Sequence, residues 1–120
     1  MQVADDHDAR LCHTRQILDR VGDKWSLAVI HQLGQQEVMR FTELQRGIQG
    51  ISQRMLTVTL RDLERDGILT RTVLAVMPPH VSYELTPMGR TLREATAPLL
   101  EWSIEHLPHI DAARTAYDNR

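Results

Sequence analysis

The apolar positions of the chain recur at helical spacing over its first half and more, then switch to strand alternation before helical spacing returns. Leu11, Ile17, Leu18 and Val21 predict a first helix closed by Gly22. Asp23 is placed to cap a second helix, whose Trp25, Leu27, Val29, Ile30 and Leu33 end at Gly34. Thr42 and Gln45 stand three apart as a capping box and predict a short third helix with Leu44 and Ile48 inward. Gly47 and Gly50 bracket a tight turn, after which Ser52 caps a fourth helix. There Leu56, Leu60 and Leu63, at i, i+4 and i+7, mark the buried face. Asp66-Gly67 ends it with the residue best suited to a left-handed C-terminal position.

Residues 68–76 are β-branched and apolar, and predict a strand. Met77-Pro78-Pro79-His80 cannot lie inside a central strand, because proline lacks the amide donor. Val81, Tyr83 and Leu85 alternate with His80, Ser82 and Glu84, the pattern of a half-buried strand. A hairpin with a proline-stiffened tip follows. Thr86 and Pro87 open a last helix carrying Leu92, Leu99, Leu100, Trp102, Ile104 and Leu107. Pro98 is expected to kink or break it, and Pro108 to begin a separate helix through Tyr117.

This order predicts a mainly α fold with a small β-hairpin, a winged helix-turn-helix of arrangement α-α-α-α-β-β-α. In such a motif the second helix, here residues 52–66, enters the major groove. With the leucines buried, its other face offers Gln53, Arg54, Thr57 and Arg61. Arginine suits guanine, glutamine suits adenine, and threonine suits a thymine methyl or a phosphate. Arg54 and Arg61 also fit a plain solvated face, with Arg61 paired locally to Asp62 or Glu64. Asp62, Glu64 and Asp66 gather at the C-terminal end, whereas the first turn is free of acids. That polarity, with the positive dipole end at Ser52, favours approach to DNA by the N-terminal end.

Charge at first argues the other way, since 14 basic and 16 acidic residues leave a formal net charge of −2. Residues 1–39 hold four basic and six acidic residues, residues 40–71 six and four, and residues 72–120 four and six. The middle third is the net basic one, and its cations are all arginines. The 120 residues suit one domain. A single cysteine, Cys12, excludes an internal disulfide. The six histidines form no metal motif, and His106 and His109 read with the others as surface residues. No apolar run reaches the roughly 20 residues of a membrane span. Asp5, Asp6 and Asp8 stand where a signal peptide would carry basic residues, so the expected address is cytoplasmic. No phosphate loop, metal triad or Ser/His/Asp arrangement presents itself, so neither catalysis nor a cofactor is expected.

The stretches GDKWSLAVIHQL, RFTELQRGIQGISQRMLTVTLRDLERDGILTR and PPHVSYELTPMGRTL strongly resemble the HxlR family of winged helix-turn-helix regulators. The resemblance runs from Cys12 to about Asp118. It implies a bacterial transcription factor, a repressor in this reading, that binds operator DNA as a homodimer. It further implies dimerisation through the first and last helices, residues 1–22 and 86–120, around a helix-turn-helix at 40–67 and a wing at 68–85. The candidate DNA contacts are Thr42, Ser52, Gln53, Arg54, Thr57 and Arg61, with Pro79 and His80 in the wing. His80 and Ser82 depart from the family, where arginine or lysine and glutamate are common. A neutral histidine is the weaker partner for the negative minor groove, and gains only as it charges at lower pH. Cys12 matches a redox-sensing position of several members, with Arg10, His13 and Arg15 near in sequence; a buried structural thiol is the other reading. An oxidant or small molecule is accordingly a candidate effector. Trp25, Leu99 and Trp102 read as core, or as the lining of an effector cavity between the first, second and last helices. The alternative for the whole chain is a winged-helix module that binds protein and not DNA.

Overall fold

A computed structural model describes the backbone of residues 2–120 and the side chains of residue 10 and residues 13–120. Five helices and three strands run in the order α1 (Gln2–Gly22), α2 (Lys24–Leu33), β1 (Met39–Arg40), α3 (Phe41–Gly47), α4 (Gln53–Arg65), β2 (Leu69–Leu74), β3 (His80–Leu85) and α5 (Pro87–Asp118). The expected mainly helical architecture with a hairpin is present.

Local chemistry sets most boundaries. The Asp23 carboxylate accepts from the Ser26 amide at 3.0 Å and so caps α2. The Thr86 hydroxyl accepts from the Gly89 amide at 3.0 Å and caps α5, with Pro87 at the first helical position. At the end of α4, Gly67 takes φ +75°. Its amide donates to the Glu64 carbonyl at 3.0 Å, and the Ile68 amide donates to that of Leu63 at 2.9 Å. Both bonds of a Schellman motif are thus made, and the chain leaves α4 directly into β2.

Two expectations are corrected. Thr42 is not a cap: α3 begins earlier, at Phe41, with Arg40 as N-cap. The Arg40 amide donates to Glu43 Oε1 at 2.9 Å, so the reciprocal acid lies three residues after Arg40. The cause is β1, which pairs antiparallel with β3 through Met39↔Tyr83 and Arg40↔Ser82 and delivers the chain into the helix early. The sheet order is therefore β1-β3-β2, three strands and not a hairpin alone.

The prolines do not divide the last helix. α5 is one 32-residue helix running through both Pro98 and Pro108. Each proline removes one helical donor, and the carbonyls so released belong to Glu94 and Ile104. Both residues are exposed, so water satisfies those carbonyls at little cost.

The core is aliphatic. Val29, Ile30 and Leu33 of α2 meet Leu44 and Ile48 around α3, Leu56, Leu60 and Leu63 of α4, and Leu69, Tyr83 and Leu85 of the sheet. The start of α5 closes it so tightly that a Cβ on Gly89 would collide with the Ile68 carbonyl oxygen. Beyond Thr96, by contrast, no residue of α5 is buried. Leu99, Trp102 and Leu107 are half exposed and Ile104 mostly exposed, so they are not core, and with them α5 continues as an apolar arm. At about 1.5 Å per residue, the helix spans roughly 48 Å. The radius of gyration reflects this: 17.9 Å against about 13.6 Å for a compact domain of this length.

His31 corrects the reading of the histidines as surface residues. It is half-buried on α2, and its Nε2 lies 2.7 Å from Thr96 Oγ1 on α5. The Thr96 hydroxyl donates to the Leu92 carbonyl at 2.9 Å, so it accepts from a ring protonated at Nε2. Burial lowers the pKa of His31 below the usual histidine range, and the charge of Arg93 adds to the effect.

Candidate nucleic-acid interface

The Ser52 hydroxyl accepts from the Met55 amide at 3.0 Å and starts α4. The first intrahelical bond is then Leu56 N–H to the Ser52 carbonyl, at 2.9 Å. The amides of Gln53 and Arg54 belong to the first turn, where no intrahelical acceptor exists, and face solvent or an anion. No acid lies in that turn.

One face of α4 is inside: Leu56, Thr59, Leu60 and Leu63 are buried. Gln53, Arg54, Thr57 and Arg61 are exposed, together on the opposite face, as the leucine spacing requires. The Thr57 hydroxyl donates to the Gln53 carbonyl at 2.8 Å. Its proton is committed to its own helix, and the methyl and one lone pair remain for a partner. Arg61 forms no ion pair among the described residues, so its charge is not spent on Asp62 or Glu64. Met55, which the sequence reading left out, is also exposed beside Arg54.

The other candidates sit on neighbouring elements. Thr42 is exposed on α3. Pro79 is exposed in the loop joining β2 to β3, and His80 is half-buried as the first residue of β3, opposite Leu74. The wing is apolar at its tip, where Val76 and Met77 are exposed, and there is no lysine or arginine between Arg71 and Arg90. The side chain of Cys12 lies outside the described residues.

A second relationship had no signal in the sequence. Arg20, in the last turn of α1, donates from Nε to Asp66 Oδ2 at 2.7 Å and from Nη1 to Asp62 Oδ2 at 3.2 Å. The hydrogen bond to Asp66 raises the guanidinium pKa above its usual value, and the charge of Asp62 acts in the same direction. Two of the three acids at the C-terminal end of α4 are thus held by α1. Arg54, at the N-terminal end of α4, makes no ion pair among the described residues, which sharpens the polarity along the helix. Trp25 borders a shallow recess with Ala28, His31 and Gln32 that includes neither Leu99 nor Trp102. A larger recess lies between α1, the end of α4 and the start of α5. No helix is long and apolar enough to cross a membrane among the described residues.

Comparison with known proteins agrees with this geometry. Residues 20–111 match the model of the HxlR-like helix-turn-helix family. The chain is 39% identical over 106 residues to the HTH-type transcriptional regulator YtfH of Escherichia coli strain K12, covering 88% of this chain and 83% of that protein. The structure of the transcriptional regulator YtfH from Salmonella typhimurium superposes with a TM-score of 0.78 at 36% identity, covering 85% of this chain and 90% of that one. The redox regulator HypR in its reduced form superposes with a TM-score of 0.75 at 36% identity, covering 82% and 97%.

Proposed function

The chain belongs to the HxlR-like helix-turn-helix family, and from that premise we propose a repressor that binds operator DNA as a homodimer. The observation that carries the DNA reading is the polarity of α4: Gln53, Arg54, Thr57 and Arg61 exposed, while Arg20 holds Asp62 and Asp66 at the far end. In this reading Gln53 and Arg54 read base edges, with Thr57 and its exposed methyl against a thymine. Ser52, Thr42 and Arg61 contact phosphates, and Pro79 and His80 make a weak wing contact. Catalysis has no part in it, and the chain works in the cytoplasm.

The homodimer is supported by the arm of α5. An isolated helix holding Leu99, Trp102, Ile104 and Leu107 half exposed or more is costly in water, and a second copy supplies the missing cover. Leu18 of α1 is 59% exposed and offers further apolar surface to a second copy. For Cys12 we infer a redox role, supported by the likeness to HypR, a redox regulator. Oxidation would then change operator affinity in the native chain and leave Cys12→Ser unchanged.

Selection of bound duplexes from a random pool, followed by binding at several salt concentrations, tests the DNA reading. A convergent sequence, with affinity falling steeply as salt rises, is the expected outcome. No enrichment and a flat salt response would favour a protein-binding module instead.

A further inference from the structure

We propose that the recess between α2 and the turn joining α3 to α4 binds a small organic monocarboxylate with a flat apolar body. It measures about 330 Å³, at the lower end of the range of small-molecule sites and enough for a single ring. Trp25, Ala28 and Ile48 supply its apolar wall. Gly47 lets the turn approach α2 closely, since a Cβ there would collide with the Gln32 amide. Among the described residues no part of α1 or α5 lines the recess, so it lies apart from the surfaces assigned to a second copy.

Charge selects the class. Lys24 lines the recess, and no carboxylate among the described residues does. The neighbouring acid, Asp23, is turned onto the start of α2, where its Oδ2 accepts from the Ser26 amide and hydroxyl, both at 3.0 Å. Lys24 is exposed and makes no ion pair among the described residues. Its Nζ rests 4.9 Å from the centre of the Trp25 ring, a contact that leaves the ammonium donors to an incoming oxygen. Gln32, Gln35 and Gln49 add three amides able to donate. His31 also lines the recess, but its Nε2 proton goes to Thr96, and burial with the charge of Arg93 keeps the ring neutral at pH 7. One full positive charge beside an apolar wall, ringed by amide donors, fits one carboxylate on one ring. A cation would face Lys24 with no acid to offset it.

The site also has a lever. The turn that walls it leads into Ser52, the N-cap of α4, and the Gln32 side chain packs against Gly47 in that turn. A carboxylate that draws the Gln32 amide to itself shifts this packing and with it the start of α4. That consequence rests on the proposed DNA-reading role of α4, whereas occupancy of the recess does not.

Proton–nitrogen correlation NMR of the full chain at pH 7 tests occupancy, with benzoate as the probe and benzylammonium as a cation of similar shape. Benzoate should shift the amides of Gly47 and Gln49 and the Trp25 indole N–H saturably, with the Trp102 indole unmoved. Benzylammonium should bind about tenfold more weakly or less, as like charges facing each other require. Lys24→Gln should weaken benzoate about fivefold, as loss of one exposed charge pair would. Gln49→Glu, a change at an exposed turn position, places a carboxylate in the recess and should abolish binding. Equal binding of the two probes, no saturable shift with benzoate, or no effect of Lys24→Gln in the folded variant would overturn the site. With benzoate saturating, the Kd of the native chain for a selected duplex should change about fivefold or more, and that of Gln49→Glu should not respond. An unchanged Kd in the native chain would overturn the lever.

Discussion

Arg20 Nε lies 2.7 Å from Asp66 Oδ2, joining the last turn of α1 to the C-cap of the helix proposed to read DNA. A second bond from the same guanidinium reaches Asp62, one turn earlier. The pairs are about one-third exposed, so their worth lies in orientation more than in stability.

Arg20→Ala should therefore cost only about 1 kcal/mol, read as a drop of a few degrees in Tm. Because screening weakens exposed pairs, the difference from the native chain should shrink in high salt. A salt-independent loss of several kcal/mol would show that Arg20 matters through packing.

His31 makes stability depend on pH. Its folded-state pKa is lowered, so the unfolded chain takes up the proton first as pH falls. The stabilising contribution is complete above the unfolded value of about 6.5 and declines as pH drops below it. Urea midpoints at pH 7 and pH 5 should show this decline, and His31→Gln, which keeps a donor for Thr96, should flatten it. An equal slope in that variant would assign the effect to other groups.

How far these features could be read in advance depends on distance along the chain. Asp23, Ser52, Gly67 and Thr86 act within a turn of themselves, and the residue types at those positions announce the caps. The start of α3 lies ahead of Thr42 because β1 pairs with a strand more than forty residues later, and no local signal at Arg40 announces that pairing. Pro98 and Pro108 leave α5 unbroken, because each lost donor frees a carbonyl at a residue exposed to solvent, Glu94 and Ile104. The Arg20 pairs span 42 and 46 residues and leave no periodic trace. Helical spacing placed Leu99 and Trp102 on an apolar face, but spacing cannot say whether the same chain covers that face.

Leu56→Ala tests the inner side of α4. Leu56 is fully buried, and its truncation should cost about 2–5 kcal/mol, with partial relaxation deciding where in that range it falls. A loss under 1 kcal/mol in urea titration would mean that the α2–α4 contact is looser than the structure has it.

His80→Arg restores to the wing the cation that this chain lacks between Arg71 and Arg90. Binding to a selected duplex should tighten several-fold at pH 7, and the dependence of affinity on salt should steepen by about one phosphate contact. Unchanged affinity would place the wing away from DNA.

Arg54 is the outward side chain of α4 on which base reading depends most directly. Its Kd for the selected duplex, compared in the native chain and Arg54→Ala at one fixed salt concentration, isolates one outward side chain of α4. A loss of about 10- to 100-fold, with Tm unchanged and discrimination relaxed at one base pair, is the predicted result. Equal affinity and unaltered sequence preference in the folded variant would contradict the assignment of α4 as the reading helix.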